Sequence, residues 1–407
     1  MVTVRSVVAF ALASGWFIFQ IDVHNAFLLG DLLEKAPRQW NLKLTSALKD
    51  MGFVQSHYDY SLFMQRVGGD LIVILVYIDD LLVTGNNVKL IHQVRIDLQA
   101  RFKMKDLGEL KFFLGIEFFK SKEGILMNQR KYALEFVSEM GLAGSKPVDT
   151  PLEFNHKLTS VAFDEFMNKG EASTDVQLED PGSYQRLVGR LLYLTMTRPD
   201  IAFVVQVLSQ HMHASKQSHL GAAIRVVKYI NGTAGLGLFM LAKGNKELVA
   251  YCGSDWGSCV ETRKSITGYI VKFGEAVISW KSKKQSTISR SSAESEFKSM
   301  AATVAEVTWL VGLFGELGIA VTNPVQLFCD SKAAIQITAH PIFHERTKHF
   351  DIDCHFVREK IQSGQIQTQH IGTKKQHTDL LTKSLCKPQH EYLISKLGMK
   401  NLFHSSA

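Results

Sequence analysis

The chain has 407 residues, 46% of them apolar, and carries 46 basic against 39 acidic side chains for a formal net charge of +7. That length holds two or three domains, each able to bury its own core. A mean hydropathy of +0.01 describes a soluble globular protein and excludes a chain built of membrane spans. The charge is unevenly spread: residues 1–145 carry 16 basic and 15 acidic groups, residues 146–235 carry 9 and 9, and residues 236–407 carry 21 and 15. A surplus in the C-terminal part suits a phosphate-backbone partner, and it equally suits an ordinary solvated basic surface. The five cysteines have neither a zinc spacing nor the framework of a small secreted domain. They read as reduced thiols of an intracellular protein, cytoplasmic or nuclear and not secreted.

In chain order, the apolar stretch Val7 to Phe19 after Arg5 has the outline of a signal peptide; the competing reading is a helix that feeds a strand ending at Asp22. Leu71 to Val76 and Leu81 to Thr84 are apolar runs too short to span a membrane, so they are expected to form two buried strands of a hairpin. Between them lies Tyr77-Ile78-Asp79-Asp80. Adjacent carboxylates at a buried turn repel each other and resist desolvation, and a bound divalent cation is the usual remedy. A solvated polar turn is the bland alternative. Asp22, at the end of a second strand, would complete a three-aspartate set with Asp79 and Asp80.

Further along, a helix is expected near residues 87–102, strands near 111–127 and a helix near 129–140. Residues 146–182 contain Pro147, Pro151 and Pro181 among many acidic and hydroxyl side chains and read as a partly irregular connector. Helical spacing follows in residues 184–197, 200–213 and 218–231. From about Leu236 strands are expected near 248–256, 266–273 and 276–281, then a long helix near 292–317, a strand at 325–329, helices at 331–339 and 349–363, a strand at 366–371 and a final helix from about 374. The divisions expected are thus 1–145, 146–235, 236–390 and a C-terminal tail at 391–407.

The motifs are specific. Gln20-Ile21-Asp22-Val23-His24-Asn25-Ala26-Phe27-Leu28, then Val76 to Leu82, then Asp106-Leu107-Gly108-Glu109-Leu110-Lys111-Phe112-Phe113-Leu114-Gly115 closely resemble the reverse transcriptase of copia-type LTR retrotransposons. Ile278 to Ser286, Phe328-Cys329-Asp330-Ser331 and Phe343 to His349 resemble the ribonuclease H of the same elements. The resemblance implies an α/β chain: an incomplete right-hand palm, a helical thumb or connection, and a ribonuclease H-like mixed sheet flanked by helices. It makes the N-terminal apolar stretch a helix rather than a signal peptide. It also implies RNA-directed DNA polymerase and ribonuclease H activities, with an RNA template and an RNA–DNA hybrid as partners.

The family's chemistry is two-metal phosphoryl transfer with Mg²⁺ or Mn²⁺. The resemblance assigns metal-binding catalytic roles to Asp22, Asp79 and Asp80 for polymerisation and to Glu296, Asp330 and Asp379 for hybrid cleavage. Glu294 is set aside, because Ser291-Ser292-Ala293-Glu294 is a capping box that gives it a local job. Asp330 has a competing role as a helix N-cap. Lys281, Lys283, Lys284 and Arg290 are candidate phosphate contacts, against the alternative of an exposed basic strand end.

Two departures bear on activity. The family's first nuclease strand reads Tyr-Cys-Asp-Ser-Asp-Trp, whereas Tyr251-Cys252-Gly253-Ser254-Asp255-Trp256 has glycine in place of the metal-bridging aspartate. Asp255 shares its strand face but lies roughly 6–7 Å further on, so it would substitute only after a register slip. The fingers region expected before Thr3 does not appear, and Leu33-Glu34-Lys35 joins segments that several dozen residues normally separate. The expectation is therefore family function by descent with impaired activity; the alternative is a catalytically dead remnant that only binds nucleic acid.

Overall fold

A computed structural model describes residues 1–23, 36–167, 175–242, 244–319, 321, 323–339 and 348–402. The motif pieces His24 to Leu28 and Phe343 to Thr347, and the join Leu33-Glu34-Lys35, lie outside the described residues. The chain divides into two compact units, the first comprising residues 1–127, 240–246 and 308–322 and the second the remainder.

The first unit opens with α1 (Val2–Ala13), buried along most of its length, which turns at Gly15 into β1 (Phe17–Val23). Then come α2 (Ala36–Asp50), β2 (Val54–Gln55), β3 (Leu62–Val67), β4 (Asp70–Tyr77), β5 (Asp80–Gly85), α3 (Val88–Arg101) and β6 (Met104–Glu109). Six strands form one antiparallel sheet in the order β2-β3-β4-β5-β1-β6. β4 is buried on both faces, which is why it reads as a continuous Leu-Ile-Val run and not as an alternation. Helices α2 and α3 bring Trp40, Leu44, Leu48, Ile91, Val94 and Leu98 onto Ile21, Ile72, Ile74 and Val83 of the sheet. The short strands β7 (Phe112–Phe113) and β8 (Ile116–Lys120) form a hairpin, and β9 (Gly124–Asn128) ends the run.

The second unit begins with α4 (Arg130–Glu139) and a short α5 (Val161–Met167) in the connector. α6 (Pro181–Leu194) starts at Pro181 behind an Asp180 cap, the arrangement favoured at a first helical turn. α7 (Ala202–Ser209) is shorter than its spacing suggests because Pro199–Ile201 forms a 3₁₀ turn, and α8 (Gln217–Gly232) completes a helical cluster around Phe136, Tyr184, Val188, Leu191, Val205, Val226 and Ile230. A buried network pins this cluster. Arg198 donates to Asp200 at 2.9 and 2.7 Å and to the Thr233 carbonyl at 3.0 Å, and the Tyr229 hydroxyl donates to Asp200 at 2.8 Å.

After β10 (Leu236–Leu241), the nuclease-like part is built from β11 (Leu248–Asp255), β12 (Ile266–Phe273), β13 (Ala276–Lys284), α9 (Ser292–Glu316, of which residues through Val307 belong here), β14 (Val325–Cys329), α10 (Lys332–Ala339), α11 (Lys348–Gln362) and β15 (Ile366–His370). The sheet order is β13-β12-β11-β14-β15, antiparallel through β11 and parallel beyond it. This is the mixed sheet flanked by helices that the sequence implies. One expectation is corrected: no helix starts at 374. Thr373–Lys375 and His377–Leu381 are 3₁₀ turns, held by the Gln376 side chain accepting from the Thr378 N–H, and the helix α12 (Lys387–Lys396) begins only at Lys387. Residues set apart in sequence as a tail include the end of α12 and β16 (Met399–Asn401), which pairs with β10. α9 is long and apolar enough to cross a membrane by length and composition; its buried side chains here, Phe297, Met300 and Val304 among them, are core.

Candidate functional site

In the first unit β1 and β5 are neighbours in register, with Asp22 directly opposite Asp80. The β4–β5 turn consists of Ile78 and Asp79 alone, since Tyr77 pairs with Asp80. Ile78 sits at φ 54°, a left-handed conformation that a β-branched residue rarely adopts. The surrounding structure holds it there. The Trp40 indole donates to the Ile78 carbonyl at 2.6 Å, and the Val23 N–H donates to the Asp79 carbonyl at 2.9 Å. Asp22, Asp79 and Asp80 are thus brought to one end of the sheet by backbone register, although their ligand atoms do not form a three-residue group within 4.8 Å. Burial, then the charges of Asp79 and Asp22, push the Asp80 carboxyl up to about 6, against a lowering from the Leu114 backbone. A divalent cation bound between these carboxylates would relieve that repulsion.

In the second unit two groups of side chains gather around the end of β11, with Asp330 and Lys383 acting electrostatically on both. Alternation along the strand turns Cys252 and Ser254 one way and Tyr251 and position 253 the other. On the first side, the Ser254 N–H donates to Glu296 Oε1 at 3.1 Å and the Ser254 hydroxyl meets Ser295 at 2.7 Å. Donor atoms of Glu296, Cys329 and Asp330 lie within 4.8 Å of one another. Glu296 Oε2 and Asp330 Oδ1 are buried and have no hydrogen-bond partner among the described residues. Burial, then the charge of Asp330, push Glu296 up to about 8. Asp330 is not a helix cap, because the Ser331 hydroxyl accepts from the Ala334 N–H at 3.1 Å and fills that role.

On the second side, Tyr251 packs edge-on against His377 with ring centroids 4.1 Å apart. Asp379 is paired with Lys383 at 3.0 Å. Burial alone would lower the Lys383 ammonium, but Asp379, followed by Asp255 and Asp330, holds it above its ordinary value. Asp255 stays in continuous register opposite Ile266, with no slip toward position 253. Its carboxyl is raised by burial, against the charges of Lys157 and Lys383.

Gly253 leaves no space for a side chain. A Cβ there would meet the Thr378 Oγ1 well inside contact distance and Gln376 Nε2 at 3.5 Å. Gln376 is fixed by donating to the Cys252 carbonyl at 2.9 Å, and Thr378 is fully buried with its hydroxyl unpartnered among the described residues. The volume of the missing carboxylate is filled by the turn that carries Asp379.

Glu294 has the expected local job but closes only half of the box: its N–H donates to the Ser291 hydroxyl at 3.2 Å, while its carboxylate accepts from the Arg290 N–H at 2.8 Å instead of from Ser291 and pairs with Lys298 at 2.8 Å. The four basic candidates divide. Lys281 and Lys283 are exposed on one face of β13, Lys284 turns the other way to donate to Gln210 at 2.9 Å, and Arg290 is exposed in the loop before α9. Sequence reasoning did not single out Lys383, Thr378 or the pair Cys252 and Cys329. Lys383 stands four residues after Asp379 in the sequence, a spacing that brings opposite charges together on a helical turn.

A family model described as reverse transcriptase (RNA-dependent DNA polymerase) matches residues 32–154. The chain is 38% identical over 428 aligned positions to a retrovirus-related Pol polyprotein from transposon RE1 of Arabidopsis thaliana, covering 98% of this chain and 28% of that protein. It thus spans under a third of that relative. The alignment is longer than this chain, so the relative carries segments absent here. A protein assigned to transposon Ty5-1 of Saccharomyces cerevisiae is 31% identical over 278 residues, covering 68% of this chain and 86% of that protein. Among solved structures, a foamy viral protease-reverse transcriptase in complex with RNA/DNA hybrid aligns over 88% of this chain and 44% of its own, at 12% identity and a TM-score of 0.46.

Proposed function

The chain belongs to the Pol polyproteins of copia-type LTR retrotransposons, in their reverse transcriptase and ribonuclease H-like regions, and we propose that it is a hybrid-binding Pol segment whose nuclease is impaired. The observation that carries this reading is Gly253, whose side-chain space is taken by Thr378. Two-metal cleavage needs a carboxylate shared between both cations, and none of the described carboxylates replaces it. Asp255 is held in register two residues too far along the strand.

In the palm, Asp22, Asp79 and Asp80 would hold the Mg²⁺ or Mn²⁺ ions that activate a primer hydroxyl and bind a triphosphate. Trp40 fixes the turn that presents them. Polymerisation also requires that template, primer and nucleotide be held in near-attack geometry. The join Leu33-Glu34-Lys35, where the family resemblance expects several dozen further residues, supports impaired positioning rather than impaired acids.

The exposed Lys281 and Lys283 give the nuclease-like part a row of phosphate contacts for an RNA–DNA hybrid. The test is fluorescence anisotropy with a labelled hybrid across a salt series. Replacing both lysines with glutamate is expected to weaken binding and to flatten the slope of log K against log salt by about 1.4 to 1.8, given roughly 0.7 to 0.9 per phosphate contact. Unchanged affinity and slope would place the hybrid elsewhere. Primer extension on a primed RNA template completes the test: metal-dependent synthesis lost in Asp79→Asn would overturn the impaired-polymerase reading.

A further inference from the structure

The two groups of acids at the end of β11 differ in what already neutralises them. Asp379 and Asp255 share the Lys383 ammonium, a resident cation of this chain. Glu296 and Asp330 form no ion pair among the described residues, and the same ammonium acts on them only as a minor charge. Glu296 is only 9% exposed, and its Oε2 and the Asp330 Oδ1 remain unpartnered among the described residues. Two orphaned carboxylate oxygens this deep are costly unless a cation lies between them. The third donor atom within 4.8 Å is the Sγ of Cys329.

We propose that this centre binds one thiophilic divalent cation, of the Zn²⁺ class, through Glu296, Asp330 and the Cys329 thiolate, in place of the pair of hard cations that four carboxylates would hold. Sulfur is a poor donor to Mg²⁺, which demands oxygen ligands in near-octahedral geometry and gives up water reluctantly. Zn²⁺ accepts mixed sulfur and carboxylate donors and is satisfied by three protein ligands and one open position. A second sulfur, Cys252, lies alongside Cys329 on the neighbouring strand.

The Ser331 N–H points at Cys329 Sγ from 3.4 Å, and α10 starts just beyond at Lys332, with the positive end of its dipole toward the strand end. Binding replaces the thiol proton with the metal and releases that proton to solvent. Stoichiometry follows from Gly253 and Lys383. The position that would bridge a second cation has no carboxylate, and Asp379 is already paired with the Lys383 ammonium.

This inference rests on reading Glu296 and Asp330 as ligands of the nuclease-like centre and is independent of hybrid binding, so the two are tested apart. The full chain, kept reduced, is titrated with Co²⁺ as the spectroscopic probe, then with Zn²⁺ and Mg²⁺ as competitors. One Co²⁺ per chain is expected, with a sulfur-to-cobalt charge-transfer band that Zn²⁺ abolishes and excess Mg²⁺ does not. Cys329→Ser is expected to remove the band and weaken Zn²⁺ binding by at least the roughly 10–100-fold that outer-shell partners alone are worth. Glu296→Gln keeps the sulfur, so it should retain the band and lower the affinity, a readout that stands if Cys329→Ser fails to fold. Absence of the band in the native chain, its survival in Cys329→Ser, unchanged affinity in Glu296→Gln, or two Mg²⁺ ions bound at the centre would each overturn the proposal.

Discussion

Restoring the absent carboxylate is a two-residue problem. In Gly253→Asp the new Cβ runs into the Thr378 hydroxyl, and Thr378 is fully buried in a 3₁₀ turn pinned by Gln376. Inserting atoms into a close-packed site costs about 1–3 kcal/mol. Thr378→Ala removes the obstruction together with a buried hydroxyl that has no partner among the described residues, a group whose desolvation itself costs about 1–3 kcal/mol. Gly253→Asp alone should therefore lose about 1–3 kcal/mol of stability, and Thr378→Ala should be near neutral. The double variant should recover most of the loss, giving a coupling energy of at least about 1 kcal/mol. Urea denaturation of all four proteins at acidic pH, where the carboxyls carry little charge, isolates the steric part. Additive effects, with coupling below about 0.3 kcal/mol, would mean that Thr378 does not occupy the space of the missing side chain.

Two stability predictions concern buried charge in the second unit. The Glu296 carboxyl is raised from 4.5 to about 8, so the folded state holds its proton more tightly than the unfolded state does. Stability should then fall as pH rises through that interval and level off above it, with a total effect on the order of a few kcal/mol at about 1.4 kcal/mol per pH decade; in Glu296→Gln that component of the slope should vanish, and an unchanged pH–stability profile would refute it. Asp200→Ala should cost about 3–5 kcal/mol, because it strands the Arg198 guanidinium at 3% exposure. Tyr229→Phe, which removes one hydrogen bond to the same carboxylate, should cost about 1 kcal/mol. Equal losses in these two variants on urea denaturation would contradict the ordering.

What the sequence made legible and what it did not divide along a physical line. The placement of Asp22 opposite Asp80, with Asp79 in the turn beside them, was readable because Asp22 and Asp80 lie at the ends of apolar strands and the turn between β4 and β5 is only two residues long. The role of Glu294 was readable because helix capping is local. The turn after β15 was not. Residues 374–381 have helical spacing, yet the Gln376 side chain bonds to the β11 backbone and to the Thr378 N–H, a tertiary contact that propensity does not report. The same distance in sequence hid the filling of the Gly253 site by Thr378. Cys329 escaped notice because a lone cysteine beside Asp330 has no metal-ligand spacing; only the fold brings Glu296 and the strand end of β14 together. Lys284 was grouped with Lys281 and Lys283 by adjacency, but a strand turns successive side chains to opposite faces.

The most direct measurement is cleavage of an RNA–DNA hybrid in Mg²⁺ or Mn²⁺ by the native chain, by Gly253→Asp/Thr378→Ala, and by each of these carrying Glu296→Gln. The native chain should leave the hybrid intact, and the double variant should cleave it in a manner that Glu296→Gln abolishes. Cleavage by the native chain that disappears in Glu296→Gln would show that the carboxylates already present suffice, and that Gly253 does not impair the centre.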